Sequence, residues 1–305
     1  MVRHEVVFGF GAHSTLDDKP ELLRLVARAD RDGLDIFSLS DHPYLGERLD
    51  AYASIGFLLG RTEHIAGFAN VTNLPTRPAP LLARAVTTLS ALSDGRVVLG
   101  MGAGGLWNRI SAMGVPPLSP GEAVEAFEEA IVLVKKLSGG GPPVTFPGRY
   151  YRVEQIEPAA VDAPPVWTGS VGAKSLAATG RVADGWIPGH AADWLSARYR
   201  SSRPVIDEAA ESVGRNRREI RTVFNLPGSI TDRPLAATRD SDGRWIGGSA
   251  QQWVEELTGA VLEHGASGFI LFSPPGGTPD AVSVARWATE IVPAVRAAVG
   301  TALPA

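Results

Sequence analysis

The sequence predicts an α/β protein folded as a closed (β/α)8 TIM barrel, with insertions in the βα loops at the C-terminal face of the strands. Three observations carry that expectation. Short apolar runs alternate with longer amphipathic segments almost from end to end, which implies a parallel sheet. Eight strand–helix pairs fit within 305 residues and the last ends in a helix, which suits a closed barrel better than an open doubly wound sheet. No shift of composition divides the chain, so residues 1–305 read as a single domain.

The elements follow in order. "EVVFGFG", Glu5 to Gly11, is the first strand; Pro20 to Gly33 carries Leu22, Leu25, Val26 and Ala29 at helical spacing, and Gly33 ends it. "LDIFSLSDH" is the second strand, followed by a helix at Ala51 to Arg61. "HIAGFANV", His64 to Val71, is the third, with a helix at Pro80 to Leu92. Arg96 to Met101 is the fourth, and Glu122 to Leu137 places Val124, Phe127, Ile131 and Val134 on one helical face. "PPVWTGS" and a helix at Ala173 to Gly180 come next, then "ADGWIP" with a helix from Ala192 to Val213. "EIRTVFNL" is the seventh strand. Ser249 to His264 is a helix, "SGFILFSP" the eighth strand and Val282 to Val299 the closing helix.

Three segments exceed what a minimal βα unit needs: Leu106 to Gly121, Ser138 to Pro164, and Pro227 to Gly248. Long loops in compact domains are commonly functional lids. The first and last follow strands, so both are expected at the active-site face. Surface decoration is the alternative.

Composition narrows the function classes. With 44% hydrophobic and 20% charged residues the chain is an ordinary globular protein, and a net charge of −4 spread without a basic stripe disfavours nucleic acid. The absence of cysteine excludes disulfides, thiolate metal sites, thiol nucleophiles and iron–sulfur clusters. No run approaches 18 apolar residues, and Met1 to Phe8 carries Arg3, His4 and Glu5 where a signal peptide has an apolar stretch, so a cytoplasmic protein is expected. H-E-x-x-H, G-x-S-x-G and P-loop patterns are missing, and no metal is expected.

"VVLGMGAGGLWN" tests a second fold class, because Gly100, Gly102 and Gly105 reproduce the G-x-G-x-x-G dinucleotide fingerprint after an apolar run. A Rossmann unit also needs a helix opening at the last glycine and an acidic residue ending the next strand. The sequence places the next helix near Gly121, with Glu122 and Glu125 on that helix. The run is therefore expected to be a glycine-rich βα loop that passes close to a ligand or a neighbouring loop.

Candidate chemistry sits at strand ends. "SLSDHPY" ends the second strand with Asp41 and His42, placed for proton transfer or for hydrogen bonds to a cofactor. A histidine satisfied by a neighbouring loop is the alternative. "ANVTNLPTRPAP" offers Asn70, Thr72, Asn73, Thr76 and Arg77, or a plain proline-rich turn. In "WTGSVGAK", Ser170 precedes a helix opened by Gly172 and Ala173, where free N–H groups and the helix dipole suit a phosphate as well as a simple cap. Phe10, His13, Trp107, Arg109 and His190 are weaker candidates, each equally open to packing or surface roles.

"LSDHPY", "NVTNLPTRPAPLLARAVTTLSALSDGRVVLGMGAGGLWNRISAMGV" and "PVWTGSVGAKSLAATGRVADGWIP", in this order, resemble the bacterial luciferase-like monooxygenase superfamily, barrel enzymes that use FMN or the deazaflavin coenzyme F-420. The resemblance implies that His42 lies beside the ring system, that Asn70, Val71 and Thr72 face the cofactor, and that Gly102, Ala103, Gly104 and Gly105 pass near its side chain. It further implies a cis peptide at Asn70–Val71, and the cofactor phosphate on Ser170, Val171 and Gly172. Two departures stand out. Gly105 replaces the glutamate that the family's sugar-phosphate and alcohol dehydrogenases carry, and Pro78-Ala79 replaces a usual His-Pro.

The function implied is hydride transfer between coenzyme F-420 and a small organic substrate, with His42 and Asp41 handling the proton. The "SDH" strand end and a composition rich in Arg and Ala but poor in Lys favour the deazaflavin. The alternatives are an FMNH2-dependent monooxygenase supplied by a separate flavin reductase, and a flavin-binding protein without turnover. The expected partners are a small-molecule substrate lined by Phe10, His13, Trp107 and His190, a flavin or F-420 reductase, and a second copy in a homodimer. Nucleic acid and membrane are not expected.

Overall fold

The computed structural model describes residues 5–189 and 192–302. Strand β1 (Val7–Ala12) shows how the sheet closes. A side chain at Gly9 or Gly11 would strike Ile36 or the Phe272 ring, so these positions face inward and leave the interior to neighbouring strands. Phe8 and Phe10 alternate with them and are fully buried among the helix-facing residues Leu22, Leu25 and Val26.

The remaining strands are β2 (Ile36–Leu39), β3 (Ala66–Ala69), β4 (Leu99–Gly102), β5 (Val166–Thr168), β6 (Gly185–Trp186), β7 (Arg221–Pro227) and β8 (Gly268–Phe272). Their order is β3-β2-β1-β8-β7-β6-β5-β4, every pairing parallel. The ring closes between β3 and β4: Gly67 N–H donates to the Arg96 carbonyl at 3.0 Å and Val98 N–H to the Gly67 carbonyl at 3.2 Å. Phe68, Trp167, Ile187, Val223, Ile270 and Phe272 fill the interior, so the barrel is a packed core that positions functional groups at its rims.

The third strand departs from the continuous run expected. It stops at Asn70–Val71, a cis peptide, and resumes as Thr72–Asn73 beside β4. The outer layer comprises α1 (Lys19–Arg31), α2 (Ala51–Leu59), α3 (Ala79–Leu92), a short α4 (Trp107–Ala112), α5 (Pro120–Lys136), α6 (Ala173–Val182), α7 (Ala197–Ser212) and α8 (Ala250–His264). The chain ends with α9 (Ala281–Arg286), a π-helical turn (Trp287–Ile291) and α10 (Val292–Ala302). Reciprocal Ser119/Glu122 and Ser249/Gln252 capping boxes fix the starts of α5 and α8.

The long segments resolve differently. A helix does open soon after the glycine run, at Trp107 rather than near Gly121, because Gly104 (φ 102°) and Leu106 (φ 55°) turn the chain. β5, the next barrel strand, still lacks the terminal acid a Rossmann unit needs. Ser138 to Pro164 contains an antiparallel hairpin, Val144–Pro147 with Arg152–Ile156, whose tip docks on α5. There Glu129 accepts the N–H groups of Arg149 (2.8 Å), Tyr150 (2.9 Å) and Tyr151 (3.2 Å).

Pro227 to Gly248 leaves the C-terminal end of β7, the face expected of it, and packs on α8, where the Leu235 N–H and carbonyl bond the Gln252 side chain. Ser229–Thr231 pairs with Gly247–Ser249, and the chain between them lies along α8. Arg239 bonds Asp193 at 2.6 Å and pairs with Glu256, while Trp245 packs edge-on to Trp253 at 4.8 Å. Among the described residues no helix is long and apolar enough to cross a membrane.

Candidate active site

A cavity of about 150 Å³ opens at the C-terminal ends of β1, β2, β3 and β8, lined by His13, Ser40, His42, Arg48, Asn70 and Phe272 among others. His42 leaves β2 with its Nδ1 sharing a 2.8 Å hydrogen bond with the Tyr44 hydroxyl, and Asn73 Nδ2 reaches the same hydroxyl at 3.5 Å. This arrangement gives Nε2 to the cavity. When Tyr44 donates to Nδ1, Nε2 carries the proton and can donate; when Tyr44 accepts, Nε2 is a base. Burial first, and the Arg48 charge second, hold the His42 pKa below the ordinary imidazole range, with Asp41 opposing. Both causes favour the neutral ring.

Asp41, a candidate for proton transfer, is buried in a clamp. Only 2% exposed, it receives Arg77 through Nε (2.9 Å) and Nη2 (2.6 Å) and accepts the Asn73 N–H at 2.9 Å. A carboxylate holding a bidentate guanidinium and a backbone donor has three of its four acceptor sites engaged. Asp41 instead pins the residues after the cis peptide. Arg77 extends the clamp to Asp50 at 2.8 Å and lies over the Tyr52 ring.

Neighbouring candidates separate in the same way. Thr72 is fully buried and its hydroxyl meets Tyr52 at 2.6 Å, so its side chain turns to the helices and away from the mouth. Asn70 faces inward, donating from Nδ2 to Asn225 (2.9 Å) and Ser38 (3.3 Å). Asn225 on β7, which sequence reasoning missed, thereby braces the break in β3. The Val71 side chain lies in the notch left by Gly102 and Gly169, whose added Cβ atoms would stand 2.8 and 3.1 Å from it.

Phe10 is not among the residues that line the mouth cavity, because the parity of β1 sends it outward to the helices. His13 lines the cavity as expected, whereas His190 lies outside the described residues. Trp107 lines a separate apolar cavity of about 320 Å³ with Ala103, Val115, Pro116, Leu118, Tyr150 and Tyr151. Ala103, Gly104 and Gly105 form the bare-backbone edge between strand β4 and that cavity.

At the end of β5, Thr168, Thr179 and Ser170 join their hydroxyls in a buried chain, 2.7 Å and then 2.9 Å. This fixes the turn that presents Val171 and Gly172 to solvent at the start of α6. Gly172 has no side chain with which to cap the helix, so the first-turn N–H groups of Ala173 and Lys174 remain open to an anion.

A sequence profile described as luciferase-like monooxygenase matches residues 6–271. The chain belongs to this family. Among relatives, it is 30% identical over 229 residues to an F420-dependent glucose-6-phosphate dehydrogenase of Microbacterium testaceum, covering 72% of this chain and 67% of that one. A protein of the same name from Nakamurella multipartita is 27% identical across 96% of this chain and 97% of its own. Among solved structures, the coenzyme F420-dependent tetrahydromethanopterin reductase of Methanopyrus kandleri superposes with a TM-score of 0.76 at 19% identity, covering 95% and 99% of the two chains. An F420-dependent secondary alcohol dehydrogenase, solved in complex with an F420-acetone adduct, superposes at 0.77 with 18% identity and the same coverage. A long-chain alkane monooxygenase superposes at 0.73 with 14% identity, covering 97% of this chain and 92% of that one. These structures share the barrel fold with this chain.

Proposed function

We propose that the protein is a deazaflavin-dependent oxidoreductase that moves hydride between coenzyme F-420 and a small organic substrate at the barrel mouth. The observation that carries the choice of cofactor is the chain-long similarity to relatives named as F420-dependent enzymes. The donor set suits such a group. The uncapped α6 start, with Ser170, Val171 and Gly172, would hold the phosphate; Gly102 to Gly105 would flank the side chain; Val71 would lie under a ring with Asn70 behind it. The bound cofactor supplies the hydride chemistry.

The chain supplies position and a proton path. His42, held neutral by burial and by Arg48, is poised to take the hydroxyl proton of an alcohol at Nε2 as that alcohol is oxidised, and to return it when a carbonyl is reduced. Tyr44 sets which of these Nε2 does at a given moment, and Asp41 with Arg77 keeps the adjoining backbone in place. Gly105 is exposed and bare where sugar-phosphate dehydrogenases of the family carry a glutamate, so the reading favours a substrate other than a sugar phosphate: a secondary alcohol or carbonyl, an imine or an activated alkene. A reductase that regenerates the reduced cofactor, a homodimer and a cytoplasmic setting complete the proposal.

Calorimetric titration of the apoprotein with F-420 and with FMN, each oxidised and reduced, tests it. Preference for F-420 is expected. Selective binding of reduced FMN would turn the reading to monooxygenation, and binding of neither would remove both.

A further inference from the structure

Arg48 stands at the cavity beside His42, and its guanidinium Nε and Nη1 are buried with no hydrogen-bond partner among the described residues. Its nearest carboxylate, Glu47, is 3.9 Å away and 63% exposed. Burying a cation with unmade donors is costly, and the neighbouring Arg77 shows the usual remedy by spending its nitrogens on Asp41 and Asp50. Three further polar atoms in the same locality are also buried and unpartnered: His13 Nδ1, Ser14 Oγ and Ser40 Oγ.

The backbone holds these groups together. Leu49 N–H donates to the Ser14 carbonyl at 2.7 Å, and Thr15 bridges Arg48, so the segment carrying Arg48 is strapped to the end of β1. The neighbouring acids make their hydrogen bonds elsewhere. Asp41 is committed to Arg77 and Asn73, and Asp18 to the Thr15 hydroxyl at 2.7 Å. Arg48 lowers the pKa of both His13 and His42, behind burial in each case, which places its charge toward both rings.

We propose that Arg48, with His13 and Ser40, is a receptor for a small oxyanion whose single negative charge is shared over neighbouring atoms. A cavity of about 150 Å³ with donors converging from different elements suits a group of carboxylate size. Two sources carry that chemistry: a carboxylate on the substrate, or the N–C=O edge of the reduced cofactor ring. The second source rests on the deazaflavin reading above; the first does not.

The test titrates the wild-type apoprotein and Arg48→Met with acetate, and then with oxidised and reduced F-420 under anaerobic conditions. Saturable acetate binding in the wild type, weakened by about tenfold or more in Arg48→Met and by less in Ser40→Ala, assigns the receptor to a substrate carboxylate. No acetate binding, with the preference for reduced over oxidised F-420 reduced about tenfold in Arg48→Met, assigns it to the ring. Acetate that fails to bind, together with an unchanged cofactor preference, overturns the receptor. Failure of F-420 to bind the wild type would remove the cofactor reading while leaving the acetate result to decide. Thermal melts confirm folding; should Arg48→Met unfold, Arg48→Lys and Ser40→Ala are read in its place, with smaller losses expected because the first keeps the charge without the guanidinium fork and the second removes one hydroxyl.

Discussion

At the N-terminal rim of the barrel, Asp30 accepts the N–H groups of Glu63, His64 and Ile65 at 2.8–3.0 Å, and Arg96 donates to the carbonyls of Leu59, Ile65 and Ser93 and to the Thr62 hydroxyl. At the C-terminal rim, Arg48 and His13 keep buried nitrogens without partners. Single nitrogens are left over near the first rim as well, on Arg221 and Arg296. Each of those guanidinia, however, spends another nitrogen on a carbonyl or carboxylate. The same fold thus uses charge to fasten loops at one end and holds it in reserve at the other, where a ligand can meet it.

The largest effect expected falls on the reserved side. His42→Ala should lower turnover by roughly 10²- to 10³-fold while changing cofactor affinity little, measured by steady-state rates beside calorimetry. Equal activity would remove His42 from the mechanism. On the fastened side, Asp30→Ala leaves three backbone donors without their acceptor and should cost about 3 kcal/mol in denaturant unfolding, with turnover per folded molecule unchanged. Burial alone would raise the Asp30 pKa, but the three backbone hydrogen bonds outweigh it and hold it below the ordinary carboxylate value. Its stabilisation is therefore present above the unfolded pKa and lost as pH falls through the folded one. Unfolding curves of Asp30→Asn should accordingly lose part of their acid dependence.

Asp41→Asn probes a group of the fastened kind placed at the functional rim. It should cost about 2 kcal/mol of stability and lower turnover together, a pairing that neither His42→Ala nor Asp30→Ala shows. Gly172→Asp sets a carboxylate against the proposed phosphate seat and should weaken cofactor binding about tenfold by calorimetry, leaving the melting temperature unchanged. Unchanged affinity would place the phosphate elsewhere. The smallest effect is a shift in pH. Alcohol oxidation should rise through a limb below about pH 6.5 as His42 loses its proton, and Arg48→Met, by removing a neighbouring positive charge, should move that limb upward.

The eight strands were legible because alternating apolar runs and helical periodicity are local signals. That His42 and Asn70 border the mouth cavity was legible because strand ends in a barrel point to one face. The clamp on Asp41 was not legible, since its partner, Arg77, lies 36 residues on, and nothing in "SDH" tells a clamp from an acid. The Phe10 error was avoidable: the alternation Phe8-Gly9-Phe10-Gly11 puts both glycines on one face, and a packed barrel interior with glycines there sends the phenylalanines outward. Arg48 and Tyr44 lie in "YLGERLD", which reads as a solvated turn. Only the fold, by strapping that turn to the end of β1, buries the arginine. Pro227 to Gly248 gave no hint of which side of the rim it would take, because packing on α8 depends on Trp253 and Glu256, which lie outside it.

The most direct test of hydride transfer at this mouth follows reduced cofactor under argon and under air, with a panel of small carbonyls. The account predicts that reduced F-420 is oxidised in step with carbonyl reduction at equal rates in both atmospheres, with no oxygen uptake. Oxygen consumption coupled to product formation with reduced FMN, and no reaction with F-420, would contradict it.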